Sequence, residues 1–208
     1  MKVLLVNGSP HKSGVTYTAL AEAAGALDAN GIEAEIHHIG GAAIRGCTAC
    51  GACAESRKCI FDDDPVNEFV EMAKKADGFI FGAPVYYAAV AGTMTAFLDR
   101  VFYSGGQHLA YKPGASVVCA RRGGTTAALD QMNKYFTISN MPLVSSQYWN
   151  MLHGNTAEEA AEDLEGLQIM RRLGSNMAWL LKCIEAGKAK GIVLPHLDEP
   201  RERTNFIR

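Results

Sequence analysis

The sequence predicts one α/β domain over residues 1–208, a doubly wound five-stranded parallel sheet with helices on both faces. Two patterns carry that prediction. Short apolar runs that do not alternate with polar residues recur along the chain, as strands covered on both faces require. Segments with apolar residues at helical spacing separate these runs, as crossover connections require. The composition agrees. With 48% hydrophobic residues and a net charge of -2, the chain can bury a core and is not disordered.

The elements follow in order. Val3 to Val6 is a first buried strand, closed by Gly8-Ser9-Pro10. Leu20, Ala23, Ala24 and Leu27 form one face of a helix over 16–30, which Asn30-Gly31 stops. Ile32 to Ile39 is a second strand. Residues 40–62 read as an irregular, cysteine-rich excursion. Asp64-Pro65 is an N-cap followed by a first-turn proline, opening a helix whose buried face holds Val66, Phe69, Val70, Ala73 and Ala76. Asp77 to Ala83 is a third strand, and a helix from about Gly92 carries Met94, Phe97, Leu98 and Val101. Ala115 to Ala120 is the fourth strand, with a helix through Leu129, Met132 and Phe136 behind it. Met141 to Ser145 is the fifth strand. Trp149 to Gly154 then reads as an apolar loop, either a satellite cluster or a cover for a ligand. Thr156 and Glu159 fit a capping box at the head of one long helix over about 156–187.

Charge narrows the partners. Lys+Arg 20 against Asp+Glu 22 offers no basic surface for nucleic acid or an anionic membrane. Met1-Lys2 runs into an apolar stretch too short for a secretion signal, so a cytoplasmic protein is expected. In a reducing compartment, clustered cysteines are metal ligands or reactive groups before they are disulfides.

Ligands of such sheets sit at the carboxyl ends of the strands. The loop after the first strand, Gly8 to Thr16, joins a strand to a helix start, where free amides and a positive partial charge favour an anion. Ser9, Ser13 and Thr16 add hydroxyl donors, and His11 lies among them. The loop lacks the Gly-Lys-Ser/Thr close of a triphosphate loop and the Gly-x-Gly-x-x-Gly of a dinucleotide fold, which favours a mononucleotide. Pro84, Val85, Tyr86 and Tyr87 follow the third strand, an apolar and aromatic surface suited to a planar heterocycle. After the fourth strand, Gly123, Gly124 and Thr125 provide backbone and hydroxyl donors, and Arg122 a positive charge for a reduced ring.

Cys47, Cys50, Cys53 and Cys59 have spacings that let successive thiolates face one centre. Four thiolates suit a [4Fe–4S] cube or a tetrahedral zinc ion; a metal-free loop is the third reading. Cys119 and Cys183 read as core packing.

Taken together, the Val-Asn-Gly-Ser-Pro-His-Lys-Ser-Gly-Val-Thr start, the Gly-Ala-Pro-Val-Tyr-Tyr and Arg-Arg-Gly-Gly-Thr-Thr loops and the Thr204-Asn205-Phe206-Ile207-Arg208 end resemble the NADPH-dependent FMN reductases of flavodoxin-like fold, in their iron–sulfur flavoprotein branch. The resemblance implies FMN, with phosphate contacts at Ser9, Ser13, Val15 and Thr16 and ring contacts at Pro84, Val85, Tyr86, Tyr87, Gly123, Gly124 and Thr125. His11 and Val15 depart from the family, where many members have Arg and Asn. It further implies a [4Fe–4S] cluster on the four cysteines and a homodimer or homotetramer. The expected activity is electron transfer between NAD(P)H or reduced ferredoxin and an unidentified small-molecule or protein acceptor. The alternatives are a quinone or azo reductase without a cluster, a non-enzymatic flavodoxin-like carrier and a zinc-stabilised binding protein.

Overall fold

A computed structural model describes residues 1–196, 198–200, 202 and 204. The Asn205 to Arg208 part of the carboxyl-terminal motif lies outside the described residues. In chain order the elements are β1 (Lys2–Asn7), α1 (Val15–Ala29), β2 (Glu33–His38), α2 (Cys53–Ser56), α3 (Val66–Ala73), β3 (Gly78–Tyr86), β4 (Ala89–Val90) and α4 (Gly92–Gly105). There follow β5 (Gly114–Ala120), α5 (Thr125–Ile138), β6 (Met151–His153), α6 (Ala157–Glu162) and α7 (Leu164–Ala189). No helix among the described residues is long and apolar enough to cross a membrane.

Five parallel strands form the sheet in the order β2-β1-β3-β5-β6, and β4 adds a short antiparallel pairing to β3, making six strands in all. Register places Leu5 opposite Ile36 on one side and Ile80 on the other. Strand order reverses about β1 and β3, so a crevice opens at their carboxyl ends.

The buried strands feed two cores, because successive side chains point to opposite faces. Leu4, Val6, Phe79 and Phe81 join Phe69, Phe97 and Phe136 under α3, α4 and α5. Val3, Leu5, Ile80 and Val117 join Leu20, Leu27, Met170 and Met177 under α1 and α7. The first core is ring-rich: Phe69 meets Phe97 edge-on at 5.1 Å, and Phe81 stacks with Phe136 at 5.8 Å. Each such ring contributes about 1.5–3 kcal/mol through burial.

Four expectations need correction. β3 runs on to Tyr86 and turns back into β4 through Tyr87 and Ala88, both at positive φ (52° and 60°). The expected loop is therefore half strand and half tight hairpin of the type that takes positive φ at both turn residues. Second, the fifth parallel strand is Met151–His153, not Met141–Ser145. The earlier segment makes one bridge, Leu143 to Gly114, at the amino end of β5, and β6 pairs with its carboxyl end. Two pieces of chain thus share one sheet edge. Third, the long carboxyl-terminal helix is two helices. Asp163 interrupts them and caps the second, its Oδ1 accepting from the Gly166 amide at 2.9 Å. Thr156 does cap the first, accepting from the Glu159 amide at 3.2 Å, while Glu159 reaches back to the Asn155 amide at 2.7 Å. Cys119 is buried as expected, but Cys183 is exposed, on the side of α7 away from Met177, Ala178 and Leu181.

Candidate functional site

The β1–α1 loop is organised by Asn7, which is fully buried. Its Oδ1 accepts from the Ser9 amide at 3.0 Å and its Nδ2 donates to the Lys12 carbonyl at 3.2 Å. Ser9 Oγ accepts from the His11 amide at 3.2 Å, so its own hydrogen is left to donate. From β2, His38 Nε2 donates to the Ser9 carbonyl at 2.8 Å; since a carbonyl only accepts, that ring nitrogen carries a proton. The Gly8 amide donates to the Gly82 carbonyl at 2.9 Å, fastening the loop to β3. Glycine at position 40 is required by contact: a Cβ there would lie 1.9 Å from the Ser9 carbonyl oxygen.

No side chain caps α1, and its first turn closes with the Thr18 amide on the Gly14 carbonyl at 3.0 Å. The amides of Val15, Thr16 and Tyr17 precede that bond and sit at the positive end of the helix dipole. Val15 and Thr16 open on a cleft of about 700 Å³ that the whole Ser9–Thr16 loop lines, together with Pro84–Tyr86, Cys119–Arg121 and Gly154–Glu158. At its base, burial pushes the Cys119 thiol up to about 12, with Thr16 beside it, so the sulfur stays protonated and unreactive at neutral pH.

Of the residues the sequence singled out, Ser9, His11, Ser13, Val15, Thr16, Pro84, Val85 and Tyr86 line this cleft. Tyr87, Arg122, Gly123, Gly124 and Thr125 do not. Tyr87 stands fully exposed at the hairpin turn, and Arg122 and Gly123 are exposed. Gly124, at a φ of 92°, is pressed against the hairpin, where a Cβ would lie 2.7 Å from Ala88 Cα. Thr125 is buried at the head of α5. This segment therefore props the β3–β4 hairpin, and its cleft residue is Arg121 in place of Arg122. Gly154 ends the apolar stretch that the sequence offers as a ligand cover, but Asn155–Glu158 carry no such signal, because they follow β6 and the sequence places the fifth strand upstream. The rule that ligands gather at strand carboxyl ends points to them once β6 is placed.

The cysteine excursion forms a second site. All four thiols are free; Cys47 and Cys50 are exposed, and Cys53 and Cys59 half-buried. They line a single cavity of about 150 Å³, closed by Ile60, Phe61, Arg100 and Tyr103. Ala49, Gly51 and Arg57 adopt left-handed backbone (φ 53°, 76° and 55°), which turns the chain around this space. The Ala49 amide donates to Cys47 Sγ at 3.5 Å, and Arg100 Nε donates to Cys59 Sγ at 3.2 Å. Burial raises the Cys53 pKa, and the nearby Cys47, Cys50 and Cys59 add to the shift. Among the described residues, no three His, Cys, Asp or Glu side chains meet closely enough to hold a metal ion. The thiols ring a cavity without converging on a point.

A parallel sheet in this order, with a hydroxyl-bearing strand-to-helix loop and an open cleft at its switch point, defines a flavodoxin-like protein. Solved structures of that fold match it closely. One is RosB with a bound 8-demethyl-8-formylriboflavin-5′-phosphate intermediate, at a TM-score of 0.69 and 13% identity over 100% of this chain and 92% of that one. Another is an archaeal flavodoxin, at a TM-score of 0.60 and 15% identity over 88% and 99%. In sequence, an iron–sulfur flavoprotein of Methanocaldococcus jannaschii is 32% identical over 89% of this chain and 100% of its own length. An iron–sulfur flavoprotein of Methanosarcina thermophila is 27% identical over 91% and 100%. The family model for NADPH-dependent FMN reductase matches residues 1–156. The chain belongs to the NADPH-dependent FMN reductase family, and its curated relatives are iron–sulfur flavoproteins. It is an FMN-dependent flavoprotein oxidoreductase.

Proposed function

We propose that this oxidoreductase moves electrons between NAD(P)H or reduced ferredoxin and an acceptor, using FMN in the sheet-edge cleft and a [4Fe–4S] cluster on Cys47, Cys50, Cys53 and Cys59. The observation that carries the reading is that these four thiols line one cavity. A cube takes one thiolate at each of four separate iron corners, which suits ligands spread around a space better than a single ion does. Two sulfurs already accept N–H bonds, as cluster thiolates do.

In the cleft, the residues that would hold the phosphate are Ser9, Ser13 and the amides of Val15 and Thr16, with His11 beside them. Pro84, Val85 and Tyr86 would flank the ring, and Arg121 would favour negative charge on it. Bound FMN supplies the exchange between two-electron and one-electron transfer, and a cluster supplies one-electron transfer. The protein binds and orients both; no side chain acts as nucleophile or acid.

Anaerobically purified protein is expected to show flavin bands and about four irons per chain, and to oxidise NAD(P)H. Flavin without iron would overturn the cluster and leave a cluster-free quinone or azo reductase. No oxidation of NAD(P)H would leave reduced ferredoxin as donor. A mutational pair places the ring. Tyr86 lines the cleft, and Tyr87, fully exposed at the hairpin turn, does not. Tyr86→Ala should therefore weaken FMN binding roughly tenfold, and Tyr87→Ala should leave it within about twofold. Equal losses from the two variants in a fluorescence titration would remove Tyr86 from the ring site.

A further inference from the structure

We propose that Arg100 is a positioning residue of the cysteine cavity: it fixes Cys59 and, by donating an N–H to the Cys59 sulfur, raises the reduction potential of the cluster held there. The inference rests on the four-cysteine reading above.

Arg100 lies on α4, a helix anchored in the ring-rich core by Met94, Phe97, Leu98 and Val101. Its side chain is 1% exposed, yet every acceptor it finds belongs to the cysteine excursion or its flank. Nε donates to Cys59 Sγ at 3.2 Å. One terminal nitrogen donates to the Arg45 carbonyl at 3.3 Å and pairs with the Asp64 carboxylate. The other donates to the Phe61 carbonyl at 3.0 Å. One rigid fork thus ties residues 45, 59, 61 and 64 to the core. Asn67 holds the backbone of the same cysteine, accepting from its amide at 3.0 Å and donating to its carbonyl at 2.9 Å. Cys59 is held at both backbone and sulfur; Cys47 and Cys50 stand exposed.

Stapling alone would need only the carbonyls and the carboxylate. The Nε bond to sulfur goes further. A sulfur ligand gains negative charge when its cluster takes up an electron, so an N–H aimed at it stabilises the reduced form more than the oxidised form. Asp64 balances the buried positive charge, which leaves the directed N–H as the difference between the two redox states. Lysine keeps the charge but lacks the planar fork, so it cannot reach the same acceptors together.

The test uses the full chain loaded with FMN and iron, titrated by spectroelectrochemistry, with cluster release to a chelator followed in parallel. Arg100→Gln combined with Asp64→Asn keeps the site neutral and avoids an unpaired buried charge. This double variant is expected to move the iron–sulfur potential negative, leave the FMN potential in place and speed chelator release roughly 10–100-fold. Arg100→Lys should fall between it and the wild type. A folded double variant with unchanged cluster potential and release overturns the proposal and leaves the four-cysteine reading standing. FMN and cluster potentials shifting together also overturn it, since that marks a general loosening. If the double variant does not fold, Arg100→Lys reads the same quantities, and an unshifted potential there overturns the proposal. A wild-type chain without iron overturns the four-cysteine reading and this inference with it.

Discussion

Gly40→Ala is expected to displace the β1–α1 loop and take FMN binding with it. An added Cβ would stand 1.9 Å from the Ser9 carbonyl oxygen, 2.2 Å from the Ser9 carbonyl carbon and 2.8 Å from the Gly8 carbonyl carbon. These are backbone atoms, so no side-chain rotation relieves the contact. Overpacking of this kind costs about 1–3 kcal/mol and sometimes more, and a clash with backbone belongs at the upper end. The displaced segment is the one whose amides and hydroxyls would hold the phosphate. FMN affinity should fall roughly hundredfold or more, since about 2.8 kcal/mol corresponds to two decades. Gly41→Ala is the matched control, because a Cβ there meets only His38 Cε1 at 3.5 Å, an ordinary contact. Fluorescence titration of flavin-stripped protein separates them, and equal affinities in the two variants would contradict the packing argument.

Asp64→Ala should be among the most destabilising single substitutions in the chain. Its side chain and that of Arg100 are each 1% exposed, so removing the carboxylate leaves a guanidinium buried without its counter-charge. Breaking a buried pair from one side costs about 3–5 kcal/mol. The same residue also accepts from the Val66 amide at 3.2 Å at the head of α3. For a protein of this size, the loss corresponds to a Tm lower by roughly 6–20 °C. Removing Glu22 from its partly exposed pair with Arg171 should cost under about 1 kcal/mol. Thermal unfolding of both variants checks the contrast, and equal Tm shifts would show that burial does not govern the Asp64 pair.

Much of the fold was legible because its signals are local. The non-alternating runs at Val3–Val6 and Gly78–Phe81 read as buried strands, and Asp64-Pro65 as a helix start. β6 was not legible. It is three residues long and is held by pairing with Val118, Cys119 and Ala120, partners distant in sequence. Its displacement hid the Asn155–Glu158 wall of the cleft. Residue type pointed to Arg122, whereas Arg121 lines the cleft; local spacing does not say which of two adjacent arginines faces it.

The layer order, the hydroxyl-bearing loop after β1 and the set of four cysteines were legible in the sequence, because each follows from residue types at short spacing. Tertiary structure alone decided which residues share the cleft and that Tyr86, not Tyr87, enters it. It also decided that the four thiols ring one cavity under a buried arginine from α4. Those outcomes depend on long-range packing, where the energy of a contact is set by partners that no local pattern names.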